Sequence, residues 1–331
     1  MTAEPATRVL KADAAAIAAA TRCLAAGGLV AFPTETVYGL GADAENGEAI
    51  ARLYEAKGRP AFNPLICHVA DRGEAERLGR FDADAARLAQ VFWPGPLTLV
   101  LPKAPECRVA ALATAGLDTI ALRMPDHPVA AALLRAFGRP VVAPSANRSG
   151  HLSPTTAQHV LADLRGRIDL ILDGGATPLG LESSIIACLG ESRLLRAGGV
   201  PRPEIERALG RSLAESPPNE TIADRAAPLA PGRLASHYAP RARLRLNAQS
   251  VQEGEALLAF GPQLPPGAER AAHILNLSAC GDLIEAAAAL FSHLRALDAA
   301  GPAIIAVMPV PNEGLGEAIN DRLRRAAAPR G

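Results

Sequence analysis

Residues 29–43 read L-V-A-F-P-T-E-T-V-Y-G-L-G-A-D, and the fold turns on how this stretch divides. The apolar run 29–33 has the length and character of a short buried strand. The stretch 34–43 mixes hydroxyls, two carboxyls and two glycines, and reads as a loop that needs glycine's dihedral freedom. Gly39 to Ala44 nominally matches G-x-G-x-x-A. A dinucleotide site, however, needs a strand running straight into the motif and a helix opening from it. Here Thr34 to Tyr38 intervene, so that reading is set aside. Working outward, 13–26 is an Ala-rich helix with Asp13 as N-cap and Gly27-Gly28 as its stop. A second helix over 47–56 ends at K-G-R-P (57–60). Strands are expected at 64–69, 97–101, 119–124, 140–143, 168–172, 184–189 and 193–196. Helices are expected at 83–92, 128–137, 155–164 and 203–209. The alternation is irregular, which implies a mixed α/β sheet rather than a doubly wound one.

The 331 residues suit two domains. A catalytic unit is expected over 1–210. Residues 211–240 hold five prolines and little periodicity, and read as a linker or lid. Residues 241–331 return to alternating strands (244–246, 256–260, 274–277, 304–307) and helices (282–297, 316–325), a smaller Rossmann-like α/β unit. Lys plus Arg and Asp plus Glu both number 34, so whole-chain charge gives no push toward nucleic acid or an anionic membrane. Five dispersed cysteines without a C-x-x-C pair argue against a disulfide framework or zinc ribbon. With no secretory start and no apolar run near the ~18 residues of a membrane span, a cytoplasmic protein is expected. Arginine outnumbers lysine 31 to 3, so a lysine inside a motif stands out.

Four loops share small hydroxyls or amides beside single cations. They are 33–40; 57–65 with His68 beyond it; 143–155, containing A-P-S-A-N-R-S-G; and G-L-E-S-S (180–184) with L-R-A-G-G (195–199). Each has a plain explanation alone: helix-end cations against the macrodipole, an Asx turn, a proline at a helix start, a satisfied histidine. Together they suit a polyphosphate, which needs cations, hydroxyls and N–H groups converging without a carboxylate wall. No Ser-His-Asp order, metal cluster or carboxylate pair stands out, so such a site binds an anion and stabilises charge rather than supplying a nucleophile.

These motifs, with W-P-G-P-L-T at 93–98, stand in an order that resembles the YrdC-type threonylcarbamoyl-AMP synthase family over about residues 10–209. The added C-terminal unit resembles the family's longer, two-domain form. The resemblance implies a YrdC-like open twisted mixed sheet with a deep cationic cavity. It also implies synthesis of L-threonylcarbamoyl-AMP from L-threonine, bicarbonate or CO2 and ATP, with release of pyrophosphate. A downstream threonylcarbamoyl-transferase complex then modifies adenosine 37 of tRNA. By the same resemblance, Lys57 and Arg59 are catalytic. Arg59, Asn63, Thr119, Ser145, Asn147, Ser153, Arg196 and Tyr238 hold ATP, with Tyr238 as lid. Thr36, His68, Arg123, Ala143 and Ser183 hold threonine, Ala143 through its backbone only. Mg2+ is expected to accompany ATP, with no protein ligand named and no organic cofactor. Two rival readings are an RNA-binding module, disfavoured by aromatics at only 3%, and a carbamoyl-adenylate-type transferase, disfavoured by the lack of cysteine-rich zinc motifs.

Overall fold

The computed structural model describes residues 6–214 and 238–329. Strand β1 (Arg8–Lys11) leads into helix α1 (Ala14–Ala25), whose start is set by the Asp13 carboxylate accepting from the Ala16 N–H at 2.8 Å. That bond satisfies a donor the helix itself leaves unpaired. Strands β2 (Val30–Phe32) and β3 (Gly39–Asp43) precede α2 (Gly47–Lys57), which ends at Gly58 in the left-handed conformation, φ 60°. Then come β4 (Ile66–His68), α3 (Arg72–Leu78), α4 (Ala83–Phe92), β5 (Leu97–Pro102), β6 (Thr119–Arg123) and α5 (Pro128–Phe137). The first unit closes with β7 (Val141–Val142), α6 (Ala157–Leu164), β8 (Leu170–Asp173), β9 (Ser184–Leu189), β10 (Glu191–Arg196) and α7 (Arg202–Leu209). After the gap in the description lie β11 (Arg243–Arg245), β12 (Ala256–Ala259), β13 (Ile274–Asn276), α8 (Leu283–Ala299), β14 (Ile304–Val307) and α9 (Gly316–Ala327).

Among the described residues the strands form two sheets. The larger runs β1-β8-β2-β3-β7-β4-β6-β5-β9-β10 and mixes parallel with antiparallel pairs, as the irregular alternation implied. The smaller, β11-β14-β12-β13, is parallel throughout. Most of the expected 211–240 segment, residues 215–237, lies outside the described residues.

Two expectations need correcting. The stretch 39–43 is a strand, not a loop, and neither of its glycines has a positive φ. They are needed for space instead: a Cβ on Gly41 would sit 2.9 Å from the Phe32 ring and 3.0 Å from the Val30 carbonyl, and one on Gly39 3.1 Å from Ala143. The α6 cap is Thr156, whose hydroxyl accepts from the His159 N–H, so Ser153 and Pro154 lie ahead of the helix. Strand β1 and helix α3 were not foreseen; each is too short to show a period.

The smaller unit packs directly on the larger. Val37, Leu152, Leu181 and Tyr238 share a buried cluster with Leu290, Phe291 and Leu294 of α8. Gly180 permits the approach, since a Cβ there would lie 2.5 Å from the Ala287 carbonyl. Arg295 pairs with Asp163 at 3.1 Å, and Arg202 with Glu317 at 2.7 Å.

The steric account of β3 predicts that Gly41→Ala costs about 1–3 kcal/mol by overpacking. Gly47→Ala, whose added methyl meets nothing within 4 Å at the start of α2, should be neutral or stabilising by up to about 1 kcal/mol. Urea melts of the two variants check both values; equal midpoints would contradict the packing described.

A cationic cavity closed by the C-terminal unit

The register of two parallel strands starts the site. His68 of β4 pairs with Arg123 of β6, so the two side chains stand next to each other at the strand ends. The loop after β2 is then tied to Arg123. The Thr34 hydroxyl donates to the Val37 carbonyl at 2.8 Å, which leaves it to accept from the Thr36 hydroxyl at 2.7 Å. Thr36 in turn accepts from Arg123 Nη2 at 2.9 Å, and Glu35 pairs with the same nitrogen at 2.7 Å. On the other side, a bulge between Leu194 and Arg196 re-aims the end of β10. Arg196 thereby donates to the Ser183 carbonyl at 2.8 Å and to its hydroxyl at 3.2 Å, while that hydroxyl bonds Thr98 at 2.7 Å. Only glycine fits at 198, where a Cβ would lie 2.4 Å from the Glu182 carbonyl and the Ser184 nitrogen.

These loops line a small cavity of about 50 Å3 that is partly open to solvent. Its walls bring together Thr36, Arg59, His68, Arg123, Ala143, Ser145, Ser183, Arg196 and Tyr238, with Val37, Ile66, Pro144 and Glu182. Tyr238 is buried at φ 61° with its ring 5.5 Å from that of Phe291, so the smaller unit backs this part of the wall. Backbone of that kind is strained for a non-glycine residue.

Five predicted residues lie outside the cavity wall. Lys57, read as a phosphate ligand, turns inward: its buried ammonium donates to the carbonyls of Ser145 and Asn147. It therefore shapes the S-A-N loop from behind. Asn147 donates its amide to the carbonyls of Arg148 and His151, and Ser153 donates to Glu182 Oε1 at 2.5 Å. Asn63 offers its carbonyl to Arg59 Nε at 3.2 Å. Thr119 begins the strand that Arg123 ends, roughly 13 Å away at 3.3 Å per residue. The side-chain oxygens of Asn63 and Asn147 are buried without a hydrogen-bond partner, open to a donor.

Burial dominates the electrostatics. It pushes the Lys57 ammonium well below its ordinary pKa, with Arg59 adding to the effect. Burial lowers Arg59 to about 10, partly offset by Tyr54, which leaves it charged at neutral pH. His68 falls to about 3 through burial and then Arg123, so its imidazole is neutral. Burial alone would raise Glu182, but Arg322 and Arg196 outweigh it and hold the carboxyl down at about 2. Sequence reasoning had assigned no role to Glu35 or Glu182, although both sit inside quoted motifs, and expected no carboxylate in the wall. Arg322, on α9, had no sequence signal at all.

His68 carries a stability consequence. Its pKa in the folded state lies below the unfolded value near 6.5, so the unfolded chain binds the extra proton more readily. The contribution is intact above pH 6.5 and is lost as pH falls toward 3. His68→Gln should flatten the dependence of melting temperature on pH between 6 and 4; an unchanged slope would show that His68 is not the buried neutral group described.

Comparison with known proteins follows the same lines. Residues 22–198 match the family model described as "Telomere recombination", and residues 200–328 match that described as "Threonylcarbamoyl-AMP synthase, C-terminal domain". The chain is 42% identical over 330 residues to the threonylcarbamoyl-AMP synthase of Bacillus subtilis (strain 168), covering 95% of this chain and 93% of that protein. It is 43% identical over 319 residues to the Pyrococcus abyssi protein of the same name, covering 91% of each. The crystal structure of P. abyssi Sua5 complexed with L-threonine superposes with a TM-score of 0.86 at 38% identity, over 97% of both chains. The chain belongs to the threonylcarbamoyl-AMP synthase family, with both of that family's domain models matched along its length.

Proposed function

We propose that this protein joins L-threonine, bicarbonate or CO2 and ATP into L-threonylcarbamoyl-AMP, releasing pyrophosphate. The observation that carries the reading is the convergence of Arg59, Arg123 and Arg196 with the hydroxyls of Thr36, Ser145 and Ser183 on one cavity. Arg123 also keeps its buried Nε without a hydrogen-bond partner, a donor suited to a carboxylate such as that of threonine. In the reaction the threonine nitrogen attacks the carbon of CO2, or of bicarbonate with loss of water, and sheds a proton to give an N-carboxylate. An oxygen of that group attacks the ATP α-phosphorus, and the bond from phosphorus to the β-phosphate oxygen breaks. The chain's share is positioning and charge stabilisation, the main levers for transfer at phosphorus. Arg59 and Arg196 face the triphosphate, Arg123 and Thr36 hold threonine, and neutral His68 packs beside its amine and side chain. Lys57 acts through the S-A-N loop it holds.

ATP enters as its Mg2+ complex, the metal being held by phosphate oxygens. The described residues contain no group of three His, Cys, Asp or Glu placed to hold an ion. The product passes, in the cytoplasm, to a transferase complex that places the threonylcarbamoyl group on tRNA adenosine 37. No described helix is long and apolar enough to cross a membrane.

Pyrophosphate release by the purified protein with ATP, Mg2+, L-threonine and bicarbonate should require all four, and release without threonine would refute the reading. Arg123→Met should raise the KM for threonine about 10²-fold, the size of losing a charged hydrogen bond of roughly 3 kcal/mol, with a smaller effect on the KM for ATP. Lys57→Ala should lower turnover by about 10²-fold, the loss expected when a positioning loop shifts by about 1 Å. Near-normal turnover in that variant would remove Lys57 from the machinery.

A further inference from the structure

Arg322 is among the largest fully buried side chains and lies on α9, 140 residues from its partner. Its Nε donates to Glu182 Oε2 at 2.8 Å, and its Nη1 to the Ala197 carbonyl at 3.0 Å and to the carboxylate of its neighbour Asp321 at 2.7 Å, so its charge is shared between two carboxylates. Its guanidinium carbon stands 5.4 Å from the centre of the Tyr238 ring. It does not line the cavity, yet two residues that do, Glu182 and Tyr238, are both held by it. Glu182 is anomalous where it stands, since a bare carboxylate near Arg196 opposes a polyphosphate and competes for the same guanidinium group. Its second oxygen is taken by Ser153, so both oxygens are fixed away from other donors.

Resting on the function proposed above, we infer that Arg322 is a positioning residue of the nucleotide site. It neutralises and orients Glu182 so that the cavity keeps a net positive charge for ATP. The C-terminal unit is then part of the ATP site through one side chain that never touches the nucleotide. With Arg322 replaced by an uncharged residue of similar length, Glu182 is left buried and unpaired. It then repels the phosphates or draws Arg196 away from them.

The test compares wild type, Arg322→Met, Arg322→Lys and the double variant Arg322→Met with Glu182→Gln in the full-length protein. ATP affinity is read by calorimetry without threonine, and KM values for ATP and threonine by pyrophosphate release. Arg322→Met should weaken ATP binding at least tenfold and raise the KM for threonine no more than about twofold. Arg322→Lys, which keeps the charge, and the double variant, which removes the repulsion, should both return ATP affinity to within about threefold of wild type. A purely structural latch makes the opposite forecast, because the double variant then stays as weak as the single one. That result, unchanged ATP affinity in Arg322→Met, or parallel loss for ATP and threonine would overturn the inference. If Arg322→Met does not fold, the lysine and double variants decide by the same criterion. Calorimetry reads ATP whether or not wild type makes pyrophosphate, so failure of the reaction and failure of this inference give different results.

Discussion

Burying positive charge is the constraint on which the rest of this structure depends. An ammonium or guanidinium taken out of water is costly unless its donors are met, and far more so than a neutral polar group. Each buried cation here is met differently. Lys57 receives two main-chain carbonyls, Arg59 the carbonyls of Asn63 and Pro64, Arg123 a carboxylate and a hydroxyl, and Arg196 the carbonyl and hydroxyl of Ser183. Those partners all lie in loops, where main-chain carbonyls are not used up by a sheet ladder. The strings of small residues between the strands are therefore shaped around the cations. Gly198 and the β10 bulge exist to let one such loop lie against another.

Much of the frame could be read from local signals, and the reasons are physical. Helix α5 was bounded correctly because proline sits at its first turn and Gly138 ends it at φ 69°. Helix α4 was bounded by Asp82, whose side chain accepts from the Ala85 N–H. The failure at 39–43 came from treating glycine as a sign of dihedral freedom when its role is to admit a neighbouring strand. The cavity wall was legible as a set of motifs, because Thr36, Arg59, Ser145, Ser183 and Arg196 sit in the four loop strings with His68 just beyond one, whereas Arg123 at the end of β6 lies outside them and was assigned through the resemblance. Which of the motif residues face the cavity was not legible. Lys57 and Arg59 are two positions apart at a helix end, yet one turns behind the S-A-N loop and the other into the wall. Arg322 was invisible because nothing near it in sequence distinguishes it from the other arginines of α9. Its role depends on a contact that only tertiary packing creates.

The pairings also sort the cations by what charge they leave over. Arg123 is matched by Glu35, and Arg322 is shared between Glu182 and Asp321, so neither guanidinium adds net positive charge to the cavity. Arg59 spends its hydrogen bonds on uncharged carbonyls, and its positive charge remains uncancelled by a direct carboxylate partner. The wall is therefore polar and nearly neutral around Arg123 and more positive around Arg59. That asymmetry suits a zwitterionic amino acid at one end and a triphosphate at the other. It also gives Glu182 a meaning beyond structure: a carboxylate close to the phosphate end is tolerable only while its charge is matched. The residue that matches it comes from the other domain, so packing of the C-terminal unit and the charge of the cavity are one physical problem.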